Sequence, residues 1–122
     1  MILVDSCGWL EYFAEGPRAD SYAKYFKKTR ELIIPTIVIY EVYKKVKREV
    51  GEEQALRVVA AMQAGTIIPL HDSLALAAAD LSLKFSLPMA DAIVYATARA
   101  HDALLVTSDE HFKDLEGVEF IK

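Results

Sequence analysis

The sequence predicts an α/β fold on a mostly parallel sheet of about five strands. Three observations carry that expectation. Five short apolar runs, "MILV", "ELIIP", "TIIPL", "ALLVTSD" and "VEFIK", have strand length, and the first does not alternate, as a strand covered on both faces need not. Segments of helix length separate most of them, giving an alternation of strands and helices. Glycines, prolines and capping residues punctuate the joins. Right-handed crossovers between parallel strands would then put helices on both faces of the sheet.

Each element has a local reason. "MILV" at residues 1–4 is a buried strand that ends at Asp5. "SCGWLEYFAEG" reads as a helix, since Trp9, Tyr12 and Phe13 fall at i, i+3 and i+4, with Gly16 as its stop. Pro17 suits the first turn of the next helix, where Tyr22, Tyr25 and Phe26 repeat the spacing. After "ELIIP", Thr36 is the expected cap of "TIVIYEVYKKVKREV", which should end near Gly51. "EEQALRVVAAMQA" follows and stops at Gly65, before "TIIPL". Asp72 or Ser73 should cap "LALAAADLSLKF". A last helix starts after Pro88, contains Asp91 and runs to about His101. No linker, internal repeat or low-complexity segment interrupts this pattern, so residues 1–122 read as one domain.

The totals narrow the function. A net charge of −4 argues against a general polyanion binder, whose usual footprint is a strongly basic face. One cysteine, Cys7, excludes an internal disulfide and a Cys-rich zinc site, and fits a reducing compartment. The start "MILVDSCGWL" has no charged region and no cleavage pattern of a signal peptide. The longest apolar run, "LIIPTIVIY", is too short to span a bilayer. A soluble cytoplasmic domain is the expectation.

Four acids stand out by where they sit. Asp5 ends the first strand, and Asp109 follows the "LLVTS" strand. Ligands of open α/β sheets gather outside the carboxyl ends of the strands. Glu41 is an acid between Ile39, Tyr40, Val42 and Tyr43, and Asp91 opens a helix that is apolar nearly all round. Were the four to converge, their charges would repel, and the economical compensation is a divalent metal. An oxygen-only site suits Mg²⁺ or Mn²⁺ better than zinc. One or two such ions can generate a hydroxide nucleophile and stabilise a leaving oxygen, which points to phosphodiester hydrolysis. Each acid also has an ordinary explanation. Asp5 could cap a helix, Asp91 could favour a helix start, and Asp109 could be a turn residue. Glu41 has no capping role of that kind.

Four segments in order resemble one known family. "MILVDSCGWLEYF", "IPTIVIYEVYK", "LPMADAIVYATA" and "LLVTSDEHF" together resemble the PIN-domain family, and within it the VapC-type toxins of toxin–antitoxin pairs. The resemblance covers essentially the whole chain. It implies a three-layer α/β/α sandwich and a ribonuclease dependent on Mg²⁺ or Mn²⁺. It makes Asp5, Glu41, Asp91 and Asp109 metal ligands or water-activating acids, with Ser6 and Thr107 orienting carboxylates. It further implies a homodimer inhibited by a small antitoxin protein of the VapB type. Two positions depart from the family pattern. His111 stands where many relatives carry a further acid, and Val38 where many carry Ser or Thr facing the Glu41 position.

Other residues are weighed beside these. Lys44, Lys45, Lys47 and Arg48 could contact RNA phosphates near the mouth of the site, or form a solvated helix face. The aromatic sets around Trp9 and Tyr22 should be core, with some left over for a partner helix or a dimer face. Cys7 reads as a small buried residue, Asp80 as surface, and His71 as a loop histidine. Two competing functions remain. One is a non-catalytic scaffold on the same fold. The other is a receiver-type phosphoacceptor, which the lack of a strand-end lysine disfavours.

Overall fold

A computed structural model describes residues 1–122. Its strands are Ile2–Val4 (β1), Ile33–Pro35 (β2), Thr66–Ile68 (β3), Leu104–Thr107 (β4) and Val118–Phe120 (β5). Its helices are Ser6–Phe13 (α1), Ala19–Phe26 (α2), Thr36–Glu49 (α3), Glu52–Met62 (α4), Asp72–Phe85 (α5) and Met89–Ala100 (α6). The five expected strands all form, and every pairing is parallel. β1 pairs with β4, β4 with β5, and β2 with β3. A single bridge from Ile2 to Leu32 joins the two sheets. The strands therefore run in the order β3-β2-β1-β4-β5. A receiver-type domain orders its strands 2-1-3-4-5, so the topology sets that alternative aside.

Burial explains why the inner strands do not alternate. Every residue of β1 and β2, and Leu105, Val106 and Thr107 of β4, is buried. Successive strand residues point to opposite faces, so helices must cover both faces. The result is the expected three-layer sandwich. The outer strands β3 and β5 are only partly covered, as edges are.

The helix ends differ from the sequence expectation in detail. α1 stops at Phe13, because Glu15 turns to a positive φ of 54° and the Gly16 N–H donates back to the Glu11 carbonyl. α2 begins at Ala19, leaving Pro17 in the turn. Pro35, with extended backbone, is the cap of α3, and Thr36 is its first helical residue. Neither Asp72 nor Ser73 caps α5. His71 does, its Nδ1 accepting from the Leu74 N–H at 3.4 Å, because the Asp72 carboxylate is taken by the N–H of Ser73.

The aromatic sets pack on each other, as their spacing predicts. Trp9 meets Phe26 edge-on at 4.5 Å and stacks on Phe13, while Tyr12 lies against Phe26. Trp9, Tyr22 and Tyr25 are buried, whereas Phe13 lines an apolar cavity of about 280 Å³ with Trp9, Leu10, Val42, Val46 and Val50. Gly8 permits the closest approach in this region. A Cβ there would lie 2.5 Å from the Tyr22 ring and from Val4, so only glycine lets α1 press this near.

Candidate metal centre

Strand order reverses between β1 and β4, and the region outside their carboxyl ends is the candidate site. Asp5 lies one residue past β1, and Asp109 two residues past β4. The third residue of α6 is Asp91, and the sixth of α3 is Glu41. Asp5 is 4 % exposed, and the other three acids are partly exposed.

The four acids are close enough to perturb one another. Burial raises the Asp5 pKa, and the Asp109 charge adds to the rise, against hydrogen bonds from Thr107 and Ser6. Burial also raises Glu41, with the charges of Asp5 and Asp109 pushing the same way and the Ser6 side chain opposing them. Asp91 is raised furthest, to about 7. Burial is the main cause, then the charges of Asp109 and Asp5, with Glu41 adding and His111 opposing. Mutual repulsion of this kind is the signature of carboxylates sharing a space. The sequence thus identified four acids that the fold does gather.

Hydrogen bonds fix two of them. Asp5 accepts from the Ser6 backbone N–H at 2.8 Å and from the Thr107 hydroxyl at 2.9 Å. The same Thr107 oxygen accepts the Asp109 N–H at 3.0 Å. One buried hydroxyl therefore ties the end of β1 to the loop after β4. Asp109 accepts from the His111 N–H at 2.9 Å, capping the short 3₁₀ turn Glu110–Phe112. The His111 ring Nδ1 stands 2.8 Å from Asp109, within hydrogen-bond reach, and 3.1 Å from Asp91. This pairing raises the His111 pKa, chiefly through the Asp109 hydrogen bond. Both ordinary roles foreseen for Asp5 and Asp109 are real, and coexist with their place in the cluster.

Behind the acids lies a polar network that the sequence reading missed. The buried Tyr22 hydroxyl is 2.6 Å from the Ser108 hydroxyl. Cys7 Sγ is 3.5 Å from Thr107 Oγ1 and receives the Ser108 N–H at 3.4 Å. Burial raises the Cys7 thiol pKa, which keeps the sulfur protonated and inert. Tyr22 looked like any core aromatic, because its partner is 86 residues away. Val38, where the family pattern leads us to expect a polar neighbour for Glu41, is fully buried.

The basic residues of α3 divide. Lys44, Lys45 and Arg48 line an open groove of about 310 Å³ with Ser6, Leu10, Tyr40 and Glu41. Lys47 does not. It turns away to pair with Glu52 at 3.5 Å and covers the Tyr43 ring. Asp80 is exposed, in keeping with its surface reading.

The donor set is chemically suited to a hard cation. Four carboxylates face one another, those of Asp5, Glu41 and Asp91 with raised pKa values, and the His111 ring stands beside two of the four. The reachable atoms of Asp91, Asp109 and His111 lie within 4.8 Å of one another, which a single ion could span.

A family model described as "PIN domain" matches residues 2–118. No curated protein matches the sequence significantly. Solved structures do match the fold. A toxin–antitoxin complex from Klebsiella pneumoniae is 24 % identical, with a TM-score of 0.85 over 100 % of this chain and 98 % of that one. VapBC2 from Rickettsia felis, bound to a DNA fragment from its promoter, is 20 % identical at a TM-score of 0.80 over all of both chains. VapC20 from Mycobacterium tuberculosis, a sarcin-ricin loop cleaving toxin, is 16 % identical at 0.79, again over all of both chains. With this strand order, these four acids at its switch point and a family match along nearly its whole length, the chain belongs to the PIN-domain family.

Proposed function

We propose that this chain is a metal-dependent endoribonuclease and the toxin of a toxin–antitoxin pair. One observation carries the reading: acids from four separate segments converge, and the pKa values of Asp5, Glu41 and Asp91 are raised by burial and by their neighbours' charges. An arrangement that costs the fold stability is expected where a function repays it. Asp5, Glu41, Asp91 and Asp109 would hold one or two Mg²⁺ or Mn²⁺ ions. Bound there, such an ion supplies an activated water and stabilises the departing oxygen of a phosphodiester. The chain's own residues do the positioning. Thr107 and Ser6 fix the Asp5 carboxylate, and Thr107 also fixes the Asp109 backbone. Asp91 holds its proton up to about pH 7 and must release it before it can serve as a ligand. His111 adds a ring nitrogen beside Asp91 and Asp109, a feature that favours Mn²⁺ over Mg²⁺.

The partners follow from the same reading. RNA is the substrate, and a small VapB-type antitoxin the inhibitor. Several solved neighbours are toxin–antitoxin complexes, which supports such a partner. A homodimer working in the cytoplasm completes the proposal; no helix is long and apolar enough to cross a membrane. The test is to incubate wild type and Asp91→Asn with mixed tRNA and rRNA in Mg²⁺, Mn²⁺ or EDTA. Discrete fragments from wild type alone, abolished by EDTA, are expected. Cleavage by Asp91→Asn at the wild-type rate would overturn the site. Absence of both cleavage and metal binding by calorimetry would leave a scaffold.

A further inference from the structure

Tyr40 is the most exposed aromatic ring of the chain, 58 % open to solvent. It has no aromatic neighbour within the fold, unlike Phe85, the next most exposed, which packs edge-on against Tyr95. It precedes Glu41 in sequence and lines the same groove, together with Ser6, Lys44, Lys45 and Arg48. The cations fall at i+3, i+4 and i+7 from Glu41, along one side of α3. This is a local positive strip on a chain of net charge −4. An exposed ring, three cations and a catalytic-site carboxylate in one groove have a shared chemical counterpart. A nucleotide offers a flat base to the ring and phosphates to the cations. A base can reach the ring only if it is unstacked from its neighbours, which a duplex does not permit.

We infer that Tyr40 is a stacking platform for an unpaired base next to the scissile phosphate. The inference rests on the nuclease reading above and names a residue that would position its substrate. The present position of Lys44 suits the role. Its Nζ lies 5.4 Å from the Tyr40 ring centroid and donates to the Tyr40 hydroxyl at 3.3 Å. Both contacts are at the surface, so an arriving base can displace the ammonium from the ring. Lys44 then becomes free for the adjoining phosphate. Lys45 and Arg48 have only the exposed Glu49 as partner, and can exchange it for phosphate in the same way.

The test uses the full chain carrying Asp91→Asn, to stop cleavage, and ten-nucleotide RNAs with 2-aminopurine at successive positions. Binding should quench the fluorescence at one position. Adding Tyr40→Ala should remove that quench and weaken binding about fivefold or more, the range of one lost base stack. Tyr40→Phe should retain both, since the ring and not the hydroxyl does the stacking. Replacing Lys44 and Arg48 by alanine should lower the salt dependence of binding while the quench persists. A Tyr40→Ala protein that binds and quenches like its parent overturns the platform and leaves the nuclease reading intact. Duplex bound as tightly as single strand overturns it also. If the parent binds no RNA of either kind, the nuclease reading itself falls, and the platform with it.

Discussion

Removing a single charge from the carboxylate cluster should make the metal-free protein more stable. Asp91 is the residue to change, to Asn, which keeps its shape. Its carboxyl titrates at about 7 in the fold against 3.8 as a free side chain. The direction follows from proton binding. Between these two values the folded chain holds a proton that the unfolded chain has lost. Stability therefore falls as pH rises through this window, and the full penalty is present above pH 7. A rise of this size corresponds to roughly 4 kcal/mol. Asp91 is partly exposed, and screening by water reduces that to about 2 kcal/mol. For a domain of this length the gain amounts to a rise of about 4–8 °C in Tm. Thermal melts of wild type and Asp91→Asn, in EDTA at about pH 8 and pH 4, read it directly. The variant should melt higher at pH 8, and most of its advantage should be gone at pH 4. Excess Mg²⁺ should narrow or reverse the difference, because the ion binds the folded wild type better. No advantage at pH 8 would refute the premise that the acids repel. An equal advantage at both pH values would trace to packing instead.

Other outcomes follow from the same geometry. Glu41→Gln should lower RNA cleavage by about 10²-fold or more while far-UV circular dichroism stays unchanged. Thr107→Val releases Asp5 and the Asp109 backbone together, so Mn²⁺ affinity by calorimetry should drop about 10–100-fold and stability by about 1–3 kcal/mol. His111→Ala should abolish any preference for Mn²⁺ over Mg²⁺ in the cleavage assay, since the only ring nitrogen beside Asp91 and Asp109 is gone. Gly8→Ala should cost about 1–3 kcal/mol in urea unfolding, because its methyl would intrude on Tyr22 and Val4. Lys47→Ala should bind RNA as wild type does, because Lys47 points toward Glu52 and away from the groove.

What could be read from the sequence was local or periodic. The "MILV" and "LLVT" runs announced strands buried on both faces, and the acids behind them marked the carboxyl ends. Glu41 was visible because an acid in "IVIYEVY" has no capping excuse. The bearing of the α3 cations is legible in the sequence too. Residues 44, 45 and 48 share a helical face with 41, and residue 47 does not. What stayed hidden depends on long-range partners. The Tyr22 hydroxyl matters only once Ser108 lies beside it, and Cys7 only once Thr107 does. The His71 cap was missed because Asp72, the better cap by type, spends its carboxylate on Ser73. His111 was noticed as a missing acid, but its contact with both Asp91 and Asp109 needed the 3₁₀ turn.

The sheet itself has a mechanical consequence. Its two halves meet at one residue pair, Ile2 with Leu32, where the strands elsewhere share ladders three residues long. Asp5 and Asp109 stand on one leaf, and Glu41 rides α3, which springs from the other. The seam is the least paired junction of the sheet. The spacing of Glu41 from its counterparts therefore rests on the packing of α3 against α1 and α6 rather than on a strand ladder.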